Sequence, residues 1–349
     1  MERIHIAFFG PTNSGKSTLV NAIAGQQVSL VSDVPGTTTD PVRKLIELPG
    51  LGPCVLIDTA GLDDTGILGS ERQRLTRAVL DETDVAVVLQ MSDLGTLAAQ
   101  AGIPVIHYTR GESVESLLQR IREAVPQEEQ RYLTGNLVQA GDTVMLVMPQ
   151  DSEAPKGRLI LPQVQVLREL LDRGCNPVCC TPDSLPSALA ALKALPALTI
   201  TDSQVFALVN RALPGTAPLT SFSVLLAAAK GDAAVFAEGA KAIDRLTRDS
   251  RVLIAEACTH VPNTEDIGRV KIPALLRKKA DIQVEIAAGN DFPEDLTPYD
   301  LIIHCGACVA TRTLVRARMR KALLAGVPFT NYGIALAYLQ GMLDRIVIP

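Results

Sequence analysis

The chain has 349 residues and a formal net charge of −5, with 47% hydrophobic, 20% charged and only 3% aromatic residues and no tryptophan. That length holds two or three domains, each able to bury its own core. The acidic balance and scarce aromatic rings speak against a nucleic-acid partner, and the lack of an uninterrupted apolar run of about 18 residues speaks against a membrane span.

The chain opens on an apolar run over 4–9 that leads straight into a glycine loop, so it reads as a first strand and not as a signal peptide. Gly10-Pro11-Thr12-Asn13-Ser14-Gly15-Lys16-Ser17-Thr18 follows, and a helix is expected over 19–25. This is the full G-x-x-x-x-G-K-S phosphate loop in its strand–loop–helix setting. The glycines let backbone N–H groups curl around phosphates, Lys16 reaches the β/γ oxygens, and the Ser17 hydroxyl can ligate Mg²⁺. The expected nucleotide contacts are Gly10, Asn13, Ser14, Gly15, Lys16, Ser17 and Thr18. Ile57-Asp58-Thr59-Ala60-Gly61 ends a second apolar run. There Asp58 can hold the Mg²⁺ shell and Gly61 can bring an N–H to the γ-phosphate. Between these pieces, 33–40 is a polar, breaker-rich loop suited to ordering around a nucleotide.

These residues resemble the small GTPases of the translation-factor-related class. The resemblance implies that Thr38 completes the Mg²⁺ site with Ser17, and that Asn13 helps hold a K⁺ ion beside the phosphates. It also implies that Lys16, Thr38, Asp58 and Gly61 carry hydrolysis. Leu62-Asp63-Asp64 follows the second loop, with neither arginine nor glutamine, so hydrolysis should be slow and cation-assisted. No Asn-Lys-x-Asp segment occurs to read guanine, and the region between Asp84 and a helix over 114–124 is about one strand–helix unit short. GTP is expected from the resemblance alone.

A polar crossing begins near 128, and the middle alternates strand and helix: strand 143–148, helix 162–173, strand 177–180, helix 187–194, strand 198–200. No nucleophile–base pair stands out, so a structural or self-association domain is the reading, with Leu159-Ile160-Leu161 as a contact edge. Cys179 and Cys180 point to opposite faces of one strand and cannot easily share a metal. They, Cys175 and Cys54 are expected to be buried structural thiols.

From residue 219 the pattern continues as helix 232–246, strand 251–257, helix 272–280, strand 283–287, strand 301–303, basic helix 309–325, strand 327–331 and helix 334–343. The basic residues of 309–325 (Arg312, Arg316, Arg318, Arg320, Lys321) read as a solvated face, and that helix should start directly behind Cys308. Cys258-Thr259-His260 and His304-Cys305-Gly306-Ala307-Cys308 follow two strands that could lie side by side, where an open α/β sheet places its ligands. Three thiols and two imidazoles make a metal or cluster site with an unsettled fourth position, and zinc, redox and iron–sulfur chemistry all use Cys-x-x-Cys. Seven cysteines in uneven clusters fit a reducing cytoplasm.

The spacing Cys258-x-His260 … His304-Cys305-x-x-Cys308 resembles the signature of the [FeFe]-hydrogenase maturation GTPase family, HydF. So do 154–165, Leu219-Thr220-Ser221-Phe222-Ser223, 239–246 and Phe329-Thr330-Asn331-Tyr332-Gly333. The resemblance implies an α/β protein with an N-terminal P-loop GTPase-like domain (1–126) and two further α/β domains with mostly parallel sheets. Those are a dimerisation domain (127–218) and an iron–sulfur cluster-binding domain (219–349). It also implies a homodimer that holds a [4Fe–4S] cluster on Cys258, Cys305 and Cys308, with His304 as weak fourth ligand and His260 ligating or acting from behind. The protein would carry a diiron precursor from two radical-SAM maturases to apo-[FeFe]-hydrogenase. The alternative is a zinc-stabilised regulatory GTPase with a structural Cys₃His site.

Overall fold

The computed structural model describes residues 3–11, 13–25, 41–59, 69–90, 93–125, 132–150, 157–257, 266–308 and 310–349. They fall into two compact units, Met1–Glu129 and Gln130–Pro349.

The first unit runs β1 (Ile4–Phe9), α1 (Lys16–Gly25), β2 (Val42–Leu48), β3 (Gly52–Asp58), α2 (Gly69–Glu82), β4 (Val85–Val88), α3 (Asp93–Gln100), β5 (Val105–His107) and α4 (Val114–Ala124). Its sheet has the order β2-β3-β1-β4-β5, antiparallel only where β2 meets β3. Alternate residues of each central strand feed two cores. Ile6, Phe8, Leu56 and Val87 face Leu19, Ile23, Leu117 and Ile121 of α1 and α4. Ala7, Phe9, Ile57 and Val88 face Val79, Leu80 and Ala98 of α2 and α3. Burial on both faces explains why these strands read as continuous apolar runs. Helix α4 forms as its sequence dictates: Ser113 caps it by accepting from Ser116 N at 3.2 Å, and Leu117 and Ile121, one turn apart, are buried. Among the described residues between β4 and α4 there are only α3 and β5, in keeping with the shortened segment expected there.

The second unit begins β6 (Thr143–Val147), α5 (Leu161–Asp172), β7 (Asn176–Cys180), α6 (Leu185–Ala190), β8 (Leu198–Thr201), α7 (Phe206–Ala212), β9 (Leu219–Ser221) and α8 (Phe222–Lys230). It continues α9 (Ala233–Ala240), β10 (Arg251–Glu256), α10 (Ile272–Arg277), β11 (Gln283–Ala288), β12 (Leu301–His304), α11 (Arg312–Leu324), β13 (Phe329–Asn331) and α12 (Tyr332–Leu339). Two four-stranded sheets result, β7-β6-β8-β9 and β11-β10-β12-β13, both wholly parallel.

The two sheets share one topology, the second strand outermost beside the first. Their last strand–helix pairs also correspond in sequence: Leu219-Thr220-Ser221-Phe222-Ser223-Val224 against Phe329-Thr330-Asn331-Tyr332-Gly333-Ile334. In each pair the residue ending the strand caps the helix, Ser221 accepting from Val224 N at 3.2 Å and Asn331 from Gly333 N at 2.8 Å. Helices α8 and α12 meet at the matched positions, where a Cβ on Gly333 would lie 2.6 Å from Ser223 Oγ. One core joins the two repeats, running from Met145 and Phe206 through Val224 to Ile254, Phe329 and Ile334.

Several elements differ from expectation. Strand β9 lies past the boundary expected at 218 and completes the first of the two sheets. Helix α8 shows no amphipathic period because Phe222, Val224, Leu225, Leu226, Ala227 and Lys230 are all buried. The helix expected over 232–246 tightens after Ala240 into a 3₁₀ turn, Lys241–Arg245. Helix α11 starts at Arg312, four residues beyond Cys308, capped by Thr311, whose hydroxyl accepts from Leu314 N at 3.2 Å, so its first turn does not abut that thiol. Of the four cysteines expected inside, Cys54 and Cys175 are buried and Cys180 half-buried, but Cys179 is exposed on the outermost strand β7, which also accommodates Pro177. Burial, then Glu47 and Asp84, pushes the Cys54 thiol up to about 12, as befits an inert core thiol.

Helix α9 lies so close to β13 that a Cβ on Gly239 would sit 2.1 Å from the Phe329 carbonyl oxygen. Because backbone cannot yield as a side chain does, Gly239→Ala is expected to cost about 2–3 kcal/mol. A urea midpoint unchanged from wild type would show that this approach is looser than described.

Candidate functional site

Two clusters of chemistry-bearing residues stand at the carboxyl ends of parallel strands, one in each unit. In the first, the phosphate loop leaves β1 at Gly10 (φ 151°), passes Asn13 in the left-handed region (φ 63°) and enters α1 after Gly15 (φ 96°). Glycine is needed at Gly10 for space too, since a Cβ there would meet Ser14 Oγ at 2.9 Å. Lys16 is buried and donates to the Pro11 carbonyl at 2.9 Å and to the Gly10 carbonyl, so its ammonium lies across the mouth of the loop. Ser17 and Thr18 are exposed on the first turn of α1. The register places Asp58 beside Phe8 of β1, while the Thr59 hydroxyl donates to the Phe8 carbonyl at 2.5 Å.

Ser14 Oγ and Asp58 Oδ1 are buried and have no hydrogen-bond partner among the described residues. Leaving such groups unpaired is costly. A phosphate oxygen for the hydroxyl and a Mg²⁺-bound water for the carboxylate satisfy both, so the residues present fit a Mg²⁺ nucleotide. Thr38 and Gly61, the other expected members, lie outside the described residues. Past β5, where a guanine-reading segment would follow, the Arg120 guanidinium donates to the His107 carbonyl and to the Glu112 carboxylate, all at 3.1 Å. That turn closes on itself.

In the second unit, β10 and β12 are parallel neighbours with Ala255 opposite His304, as their sequences led one to expect. The Cys305 thiol lies beyond the sheet edge, where the N–H groups of Ala257 and Ala307 donate to its sulfur at 3.1 and 3.4 Å. Two N–H groups aimed at one sulfur favour a thiolate. Ala307 takes φ 49°, and the resulting turn brings Cys308 round as an exposed thiol whose sulfur lies over Gly306. Cys258 and His260 lie outside the described residues, among which no three His, Cys, Asp or Glu side chains gather in a metal-holding group. The donor set that is described, a thiolate-ready Cys305 beside an exposed Cys308, fits a metal or cluster.

His304 is placed differently from the expected fourth ligand. Its ring is fully buried, Nδ1 lies 2.8 Å from the Cys305 carbonyl and Nε2 lies 3.3 Å from an Arg318 NH group. A carbonyl only accepts, so Nδ1 carries the proton and the Nε2 lone pair takes Arg318. Both ring nitrogens are thus engaged within the protein. Arg318 is buried as well, contrary to the solvated face expected for its helix. It also donates to the Glu256 carbonyl at 3.1 Å and to the Gly289 carbonyl, and stacks 4.7 Å over Phe292. Beside it, Arg269 pairs with the buried Glu256 carboxylate at 2.7 Å. Asn331 completes the frame, donating to the Cys305 carbonyl at 3.1 Å. Sequence reading missed Arg318, Asn331 and Lys230. The only available signal was the Phe-Thr-Asn-Tyr-Gly stretch.

Family models cover nearly the whole chain. Residues 5–134 match the model described as "50S ribosome-binding GTPase", 133–231 the "Hydrogen maturase F dimerization domain" and 234–349 the "Hydrogen maturase F tetramerization domain". The chain belongs to the HydF family of hydrogenase maturation GTPases. Its first unit is a P-loop GTPase domain that binds GTP with Mg²⁺, and the HydF segments behind it are oligomerisation domains. The segment expected to bind a cluster is thus the one described by tetramerization.

The GTPase part also resembles the tRNA modification GTPase MnmE. It is 42% identical to that of Nitrosospira multiformis over 95 residues, 27% of this chain and 21% of that protein. It is 38% identical to that of Ruegeria pomeroyi over 136 residues, 34% of this chain and 32% of that one. The chain therefore spans a third or less of the length of these relatives. Among solved structures, Era with MgGDPNP and a 16S ribosomal RNA segment aligns at 16% identity and TM-score 0.29, over 55% of this chain and 99% of that one. The S. thermophilus NFeoB structure with GDP, aluminium fluoride and K⁺ aligns at 18% identity and TM-score 0.19, over 39% and 74%.

Burial, followed by the charge of Arg318, holds the His304 imidazole down at about 3, against an ordinary 6.5. Below pH 6.5 the unfolded chain gains a proton that the folded ring refuses. The stabilisation is therefore full above pH 6.5 and declines as the pH falls toward 3, by about 1.4 kcal/mol per unit. In metal-free protein, His304→Gln should remove that slope; urea melts at pH 7 and pH 5 that decline equally in both proteins would contradict the assignment.

Proposed function

We propose that this HydF-family protein is a scaffold and carrier for hydrogenase maturation. It holds a [4Fe–4S] cluster on Cys258, Cys305 and Cys308, carries a diiron precursor received from two radical-SAM maturases, and delivers it to apo-[FeFe]-hydrogenase. The observation that carries this reading is the Cys305 sulfur at the strand edge, met by two backbone N–H groups with Cys308 one turn away. Zinc staples usually hold small or loop-rich units, whereas these thiols stand on a unit that already has a large core. When bound, the cluster would supply an iron with an exchangeable fourth position. The chain's own part is to present the thiolates, and His304 supports Cys305 from behind.

The GTPase domain acts as the switch. Lys16 and Ser17 engage the phosphates and Mg²⁺, Asp58 orders the metal's water, Thr38 and Gly61 close on the γ-phosphate, and Asn13 helps hold a K⁺ ion that takes the part of an arginine. Hydrolysis is slow. The protein works as a homodimer in the reducing cytoplasm. The exposed Leu159, Leu161, Val164 and Leu171, in and just before α5, support self-association through the dimerization domain.

Anaerobic reconstitution with iron and sulfide should give a brown protein with charge-transfer absorption. Tightly bound stoichiometric zinc without that absorption would sink the cluster reading. Lys16→Ala should lower GTP hydrolysis by at least about a hundredfold while leaving iron content intact, and Cys305→Ser should do the reverse. Iron content and hydrogenase activation unchanged in Cys305→Ser would remove the site assignment. GTP should displace a labelled nucleotide better than ATP; equal displacement by the two would remove the guanine assignment, because no Asn-Lys-x-Asp segment follows β5 to read the base.

A further inference from the structure

Lys230 ends α8, inside the segment matched to dimerization, yet it serves a loop of the segment matched to tetramerization. Its side chain is buried, and Nζ donates to the Ala307 carbonyl and, at 2.6 Å, to the Ala310 carbonyl. The same Ala307 carbonyl accepts from Ala310 N at 3.1 Å, and the Ala307 N–H points at the Cys305 sulfur. The ammonium thus holds the two carbonyls, of Ala307 and Ala310, that flank Cys308, and Ala307, at φ 49°, is the residue whose N–H meets the Cys305 sulfur. The backbone of Lys230 is fixed by close packing. Gly231 lies under the Phe236 ring, where a Cβ would come within 2.2 Å, and α8 is seated on α12 at Ser223 and Gly333.

We infer that Lys230 is a positioning residue of the thiol site, clamping the backbone on either side of Cys308 and keeping a buried positive charge beside the loop that carries the thiols. This rests on the cluster reading above. Three thiolates leave a bound [4Fe–4S] group with net negative charge that grows on reduction. A buried cation nearby therefore stabilises the reduced form more and raises the potential. Arg318, held against the neighbouring His304, contributes in the same sense, while the Glu256 carboxylate is offset by Arg269.

The test uses full-length protein reconstituted anaerobically, in wild-type, Lys230→Met, Lys230→Gln and Lys230→Arg forms. Iron content, the rate of iron loss to a chelator and the cluster midpoint potential are measured by redox titration. Lys230→Met and Lys230→Gln should lose iron about tenfold faster and shift the reduced-to-oxidised ratio at fixed potential at least tenfold toward oxidised, 59 mV more negative for one electron. Lys230→Arg, which keeps the charge, should restore most of the potential. Should Lys230→Met fail to fold, Lys230→Gln carries the comparison. Potentials and iron loss matching wild type in both neutral variants would overturn the inference while leaving the cluster reading intact. An equal potential shift in all three variants would overturn it too, because charge would then not matter. Wild-type protein that takes up no iron would remove the cluster reading and this inference with it.

Discussion

A parallel strand followed by a right-handed crossover delivers every strand's carboxyl end to the same edge of its sheet, and the chemistry of this protein depends on that constraint. In the GTPase unit, β1 and β3 end together, so the phosphate loop and Asp58 converge although 41 to 48 residues of chain separate them. In the second unit, β10 and β12 end together, so the sulfur of Cys305 receives the Ala257 N–H across the strand boundary. The two sites have nothing chemical in common. What they share is an edge at which backbone N–H groups are left unpaired by the sheet and can turn toward an anion, phosphate in one unit and thiolate in the other.

Burying cations beside such an edge is costly unless each finds hydrogen-bond acceptors. Here the acceptors are mostly backbone carbonyls. Lys16 meets those of Gly10 and Pro11, Lys230 those of Ala307 and Ala310, and Arg318 those of Glu256 and Gly289. A carbonyl satisfies the hydrogen-bond geometry of a cation without neutralising its charge. Each cation is therefore held in place and still available to an anionic guest. Arg269, in contrast, is paired with the Glu256 carboxylate. That pair braces the wall of the site.

The repeated topology of the second unit places the thiol site in a wider frame. Both halves end in a strand whose last residue caps the next helix, Ser221 in one and Asn331 in the other, and the two helices cross at Ser223 and Gly333. The second half carries Cys305 and Cys308 directly past β12, whereas Cys179 and Cys180 of the first half lie within its outermost strand β7. The first half supplies Lys230 across the shared core, so the segment matched to dimerization and the thiol-bearing segment are built as one body.

Much of this was legible in the sequence. Period and punctuation located most strands and helices, the phosphate loop announced itself through Lys16 and Ser17 after a strand, and the cysteine spacing pointed to the edge where Cys305 stands. These are local signals, set by residue type and separation along the chain. What sequence alone could not decide were matters of distance between remote segments. It could not show that Arg318, on a helix that reads as a basic surface, turns inward onto His304. That contact occupies Nε2, while the neighbouring carbonyl of Cys305 holds Nδ1, so both nitrogens of the candidate ligand are engaged. Nor could it find β9 and α8, because a three-residue strand and a helix buried on nearly every side carry no periodicity. Residue chemistry and spacing determined which groups this protein brings to its sites; tertiary packing decided which of them face the ligand and which stand behind it.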